Sequence, residues 1–207
     1  MLARMPKIQI AQDPAADRLL SEDPFALVIG MLLDQQFPME REFAGPAVLA
    51  ERFGQLDPAA VAAADPEEFA ALCARTPAVH RYPGSMARRM QALAAYVLAE
   101  YGGDTGEIWR DVPSGQELLA RVRALPGFGG QKAAIFVALL GKQLGVRPDG
   151  WREAAGAYGD EGSYRSVADV VDPDSLAKVR AFKQEQKTAN RAGDEPRQIG
   201  RPNARRM

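Results

Sequence analysis

The chain has 207 residues, 46% hydrophobic and 26% charged, with a formal net charge of −1, which fits one domain, or one domain of two lobes, with a sizeable core. Near-neutrality weakly disfavours a protein that coats nucleic acid non-specifically, while local patches can still bind. A single cysteine, Cys73, excludes an internal disulfide and any four-cysteine zinc or iron–sulfur site, and a single histidine, His80, argues against a His-based metal site or a Ser-His-Asp triad.

Asp-Pro recurs at Asp13-Pro14, Asp23-Pro24, Asp57-Pro58, Asp65-Pro66 and Asp172-Pro173. Aspartate at an N-cap with proline at the first helical position is a strong start signal, because proline gives up an N–H that would have no partner there anyway. Ser114 and Glu117 have the spacing of a capping box. Helices are predicted at 14–21, 24–37, 39–53, 58–64, 66–74, 84–101, 115–124, 130–144, 163–171 and 174–189. No convincing alternating strand pattern occurs, so the expected fold class is all-α. The longest apolar runs, Phe25–Leu33 and Ala133–Gly141, are nine residues each, far too short to span a bilayer. No secretion signal is read at the N-terminus, and the expectation is a cytoplasmic protein.

Residues 76–85 form a turn-rich loop carrying His80, Arg81 and Tyr82, which are expected to be exposed. Cys73 sits in an Ala-rich helix, where a buried, inert thiol is expected. From Ser175 onward there are nine Lys/Arg against three acids, a net +6. Residues 188–207 read as a basic, disordered tail, either simply solvated or in contact with nucleic acid.

The stretch Leu125 to Asp149 holds the chemistry. Leu125-Pro126-Gly127-Phe128-Gly129 reads as a tight hairpin leading into an apolar helix from about Gly130, which leaves through Gly145 to Pro148-Asp149. Glycines let a ligand approach the backbone, and the unpaired N–H groups of the helix start favour a phosphate. An acid at the far end of a buried helix, facing such a phosphate grip, suggests chemistry on a polynucleotide.

These residues carry a family resemblance. Leu125, Pro126, Gly127, Phe128, Gly129 and Ala133 resemble the helix-hairpin-helix of the DNA glycosylase superfamily named for that hairpin and a Gly/Pro-rich loop ending in aspartate. Gly145, Pro148 and Asp149 supply the Gly/Pro/Asp portion, and Asp23–Phe37, with its apolar run ending at Gln35-Gln36, resembles the family's first core helix. Endonuclease III and the 3-methyladenine glycosylases share that layout.

The resemblance implies a two-lobed helical fold. Residues 24–144 would form the barrel lobe, with the helix-hairpin-helix at 115–142. Residues 145–187 would form a smaller C-terminal lobe, joined by the N-terminal segment 1–23. It implies a partner, double-stranded DNA containing a damaged base, flipped out of the stack for cleavage of its N-glycosidic bond. The chain is expected to act as a monomer. Gly127, Gly129 and Gly130 would hold a backbone phosphate, in the family often with a bound monovalent cation, and no other metal or cofactor is implied. Asp149 matches the family's catalytic aspartate, whose carboxylate stabilises an oxocarbenium-like sugar and can orient water. A plain N-cap is the other reading of Asp149.

Departures from the family narrow the class. Strand-nicking members carry a lysine nucleophile where this chain has Gln131, eighteen positions before Asp149. Without the amine no Schiff base forms. Lys132, about 100° further round the helix, should point elsewhere, to a phosphate or to solvent. The resemblance puts Gln35 and Gln36 near the vacated base position, and His80 or Arg81 where the family has its wedge residue. Asp34, Trp151 and Tyr158 are candidates for the base pocket, with solvated or core roles as the alternatives. The implied activity is a monofunctional glycosylase acting on a damaged base, with the alkylated-base enzymes the nearer branch. The alternative is a non-catalytic helix-hairpin-helix DNA-binding protein.

Overall fold

The structure is a computed structural model that describes residues 8–35 and 37–193, with side chains to 189. It is all-α and two-lobed. Ten α-helices order the described residues: α1 (Pro14–Glu22), α2 (Pro24–Leu33), α3 (Met39–Phe53), α4 (Pro58–Ala63), α5 (Pro66–Ala74), α6 (Pro83–Tyr101), α7 (Gly115–Ala124), α8 (Gly130–Leu139), α9 (Trp151–Ala155) and α10 (Pro173–Gly193).

The Asp-Pro signals act as read. Asp13, Asp23, Asp57 and Asp65 each accept backbone N–H groups of the first turn that they start. Asp172 accepts from Ser175 N at 2.7 Å. The capping box at α7 is half made. Ser114 Oγ accepts from Glu117 N at 3.2 Å, while the Glu117 carboxylate turns to Arg121 Nε at 3.0 Å.

Helix α2 is the centre of the molecule. Every residue from Phe25 to Leu33 is buried, which an apolar helix without a polar face requires. α1 and α3 pack on it, α4 and α5 pack on α6, and α7, α8 and α9 pack on one another. A single hydrophobic core runs through these groups.

Three expectations about elements are corrected. α2 ends at Leu33, not 37; side chains from α3 and α8 take the carbonyls of Met31, Leu32 and Asp34 and the amides of Gln35 and Phe37. No helix spans 163–171; only a 3₁₀ turn, Val167–Asp169, forms there. Asp169 accepts from Arg165 N at 2.8 Å, Ser166 N at 3.2 Å and Lys142 Nζ at 2.6 Å. Gln143 Nε2 donates to the carbonyls of Val167, Ala168 and Val170, so side chains replace the helical ladder. Finally, α10 runs to Gly193, into the segment expected to be disordered; residues 194–207 lie outside the described residues.

Buried Asp17 on α1 ties down the N-terminal segment by accepting from Ala11 N at 2.8 Å. Burial raises its pKa to about 6, against lowering by the Ala11 N–H. A carboxyl whose folded pKa lies above its unfolded value binds more protons when folded, so its contribution to stability falls as pH rises between about 4 and 6. Urea titrations should therefore show the stability of Asp17→Asn relative to wild type improving by about 1–3 kcal/mol from pH 4 to pH 6. A pH-independent difference would assign Asp17 no titration in that window.

Candidate nucleic-acid interface and active site

The hairpin closes with Phe128 N–H donating to Leu125 O at 3.0 Å. Phe128 is buried against Phe136, ring centroids 5.8 Å apart. Gly127 has φ +88°, and a Cβ there would meet Leu32 Cδ1 at 2.4 Å. Glycine is required at this position both by the left-handed backbone and by the approach of α2. Gly129 and Gly130 differ: both are exposed, and a Cβ on either would meet nothing within 4 Å. They leave the N-terminus of α8 bare to solvent, the surface that a backbone phosphate needs.

Asp149 is exposed at the entrance to α9. Its main-chain oxygen accepts from Gly115 N at 2.7 Å, and a Cβ on Gly115 would meet Gly150 O at 2.4 Å. The start of α7 thus presses directly on the Asp149-Gly150 backbone. The N-cap of α9 is Gly150, with no side-chain cap hydrogen bond, so the capping alternative for Asp149 is not what its carboxylate does. Asp149 lines an open cavity of about 300 Å³ together with Arg147, Trp151, Arg152 and Glu153. Arg147 is steadied by Nε donating to Gly141 O at 2.8 Å.

Trp151 is 7% exposed. A Cβ on Gly141 would meet its ring at 2.3 Å, and the Arg152 guanidinium lies 4.7 Å from the ring centroid. Both observations mark it as packing between α8 and α9, not as a free stacking face in the base pocket. Tyr158 is half-buried in a 3₁₀ turn after α9, and its hydroxyl accepts from Gln131 Nε2 at 2.8 Å. The residue at the family's nucleophile position therefore reaches the C-terminal part of the chain.

His80 requires correction. It is 1% exposed, neither an exposed loop histidine nor a wedge. Its Nδ1 accepts from Tyr82 N at 3.0 Å, and Nε2 lies 3.8 Å from Glu42 Oε1. Burial, with the charges of Arg89 and Lys132, lowers its pKa, so the ring is neutral at pH 7. Arg81 and Tyr82 are exposed as expected, Tyr82 by 54%. Arg52 supports this loop from beneath, donating to the carbonyls of Leu72, Arg75 and Pro77 at 2.8–3.0 Å.

Lys132 is corrected as well. It points away from Gln131, as the helix geometry required, and is half-buried, not simply solvated: Nζ donates to Met31 O at 2.5 Å, Leu32 O at 3.0 Å and Asp34 O at 3.3 Å. Asp34 is the half-buried C-cap of α2. Gln35 is exposed, with Nε2 folded back to Leu32 O at 3.0 Å. Gln36 lies outside the described residues. Sequence reading missed Glu42, which is 0% exposed and accepts from Gln35 N at 2.7 Å and Phe37 N at 2.8 Å. A signal was present, because Glu42 falls among Met39, Phe43, Pro46 and Leu49 on the buried stripe of α3.

A bare hairpin leading into a core helix, followed after that helix by a Pro-Asp turn with an exposed carboxylate, defines a protein of the helix-hairpin-helix class. Residues 29–194 match the HhH-GPD superfamily base excision DNA repair protein family. The chain belongs to that family. Comparison with curated proteins and with solved structures gave no significant match.

Thermal melts should separate the hairpin glycines. Gly127→Val is expected to cost about 2–4 kcal/mol from backbone strain and collision with Leu32, whereas Gly129→Val should stay within about 1 kcal/mol of wild type. Equal destabilisation would contradict the open surface at Gly129.

Proposed function

We propose that this protein is a monofunctional DNA glycosylase, removing a damaged base, of the alkylated class, from duplex DNA. The observation that carries the reading is the placement of Asp149. Its carboxylate is exposed, not spent on a helix cap, in a family of base excision repair proteins, and its backbone is pinned by Gly115. The cleft lies between lobes of residues 24–144 and 145–187, the first 23 residues completing the smaller one.

The exposed backbone of Gly129 and Gly130 holds a phosphate and fixes register without reading sequence. A monovalent cation held by carbonyl oxygens of the hairpin would add positive charge for the phosphate. Arg81 or Tyr82 takes the wedge role in place of His80, since both are exposed on a loop braced by Arg52. Gln35 and Asp34 lie at the exit of α2 facing the same hairpin.

In the reaction, the C–N glycosidic bond breaks and its electron pair leaves with the base. The sugar cation that develops is stabilised by the Asp149 carboxylate. A water oxygen then bonds to the anomeric carbon, and Asp149 accepts the proton it releases. Gln131 offers no amine, so no Schiff base forms and the strand stays intact.

Duplexes carrying one lesion each, scored for abasic sites after mild alkali, test this reading. The wild type should break strands only when alkali is added, and borohydride should trap no covalent adduct. Asp149→Asn should slow excision about 10²–10³-fold, the loss of roughly 2.7–4 kcal/mol of transition-state stabilisation, while still binding an abasic-site duplex. Gly129→Val should weaken binding to all duplexes alike. Excision at wild-type rate by Asp149→Asn would remove that residue from the chemistry. A wild type that binds DNA but excises no lesion would favour the non-catalytic DNA-binding reading.

A further inference from the structure

The exit of α2 is held by side chains from two other helices. A helix end leaves its last carbonyls, and the turn after it its amides, without partners in the helix itself. Here two oppositely charged side chains, one from the next helix and one from far along the chain, divide the task. The ammonium of Lys132, on α8, gives its three N–H donors to the carbonyls of Met31, Leu32 and Asp34. The carboxylate of Glu42, on α3, takes the N–H groups of Gln35 and Phe37. An ammonium has no fourth donor, so Lys132 cannot replace the amine absent at Gln131 while these bonds stand.

The cation is held at a cost. Asp34 and Glu42 attract it, while Arg89 on α6 and Lys183 on α10 repel it. Burial outweighs the attraction, and the pKa falls to about 8. His80, close by, is neutral at pH 7 and above. A lysine whose folded pKa lies below its unfolded value binds fewer protons when folded. Its contribution to stability therefore rises with pH between about 8 and 10.5, and is least below 8. Three hydrogen bonds, to Met31, Leu32 and Asp34, keep this ammonium at the turn despite its burial.

We propose that Lys132 is a positioning residue: its ammonium fixes the end of α2, and with it Asp34 and Gln35, against the hairpin end at Gly129-Gly130. A duplex held by the hairpin then meets the turn after α2 at one set distance. The part of this claim that involves a duplex rests on the DNA-binding reading above; the ordering of the turn does not.

The test uses the full chain and Lys132→Met, which keeps the length of the side chain and removes its donors. Hydrogen exchange at the Gln35 and Phe37 amides should quicken about tenfold or more, an opening easier by about 1.4 kcal/mol, with α6 amides unchanged. Affinity for an undamaged duplex should move less than about threefold, while preference for a duplex carrying a tetrahydrofuran abasic analogue should fall about tenfold. In the wild type, the NMR shifts of the 33–37 amides should titrate with a midpoint near 8, the value of the Lys132 ammonium, and in Lys132→Met they should not. Unchanged protection of Gln35 and Phe37 in the variant overturns the proposal, as does a wild-type turn with no titration near that pH. If Lys132→Met fails to fold, the wild-type titration decides. If the wild type shows no preference for the abasic analogue, the proposed function fails, while exchange and titration still decide the role of Lys132.

Discussion

The polar groups at the end of a buried helix must find partners, and in this protein that requirement ties the two most important segments together. α2 is apolar all round and buried along its length. Its start is satisfied locally by Asp23, which accepts from Phe25 N at 2.8 Å and Ala26 N at 3.2 Å. Its end is satisfied by Lys132, 100 residues on from Leu32, and the turn after it by Glu42, 7 residues on from Gln35. Because Lys132 sits in the first turn of α8, the helix that follows the hairpin cannot shift without exposing carbonyls of the core helix. The close approach of Gly127 to Leu32 fastens the same pair of elements through packing. Unpaired carbonyls in a dry setting each cost about 1–3 kcal/mol, and that cost holds the register of α8 on α2.

The second constraint acts at Asp149. Two glycines permit contacts that any side chain would block: Gly115 lets the start of α7 touch the Asp149-Gly150 backbone, and Gly141, in the π-helical turn Leu140–Leu144 after α8, lets that turn receive the ring of Trp151. The carboxylate is thereby mounted on a backbone braced from two helices while its own oxygens stay exposed. Gln131 bonding to Tyr158 adds a third tie between the beginning of α8 and the turn after α9. These packed contacts hold the Asp149 backbone in place without using the carboxylate.

Much of this was legible in the sequence. The Asp-Pro starts, the all-α class, the hairpin and the Gly/Pro/Asp ending are local signals: a cap, a fixed proline φ or a glycine turn is set by residues within one helical turn of each other. The different directions of Gln131 and Lys132, about 100° apart, also followed from the helical repeat alone. Family membership rests on the same local pattern, and residues 29–194 carry it.

What only the tertiary structure decided are partnerships between residues far apart in the chain. His80 stands in a polar, turn-rich stretch, yet it is buried because α3 brings Glu42 beneath it and Phe37 beside it. Lys132 looks solvated on its own helix until α2 ends over it. The helix expected at 163–171 is dissolved by Asp169 and Gln143, whose side chains take the backbone groups that a helical ladder would use, with Lys142 pairing the Asp169 carboxylate. Capping and turn chemistry act within a few residues and can be read in order along the chain. The burial of a charge depends on what packs over it, and that is fixed only when the helices meet.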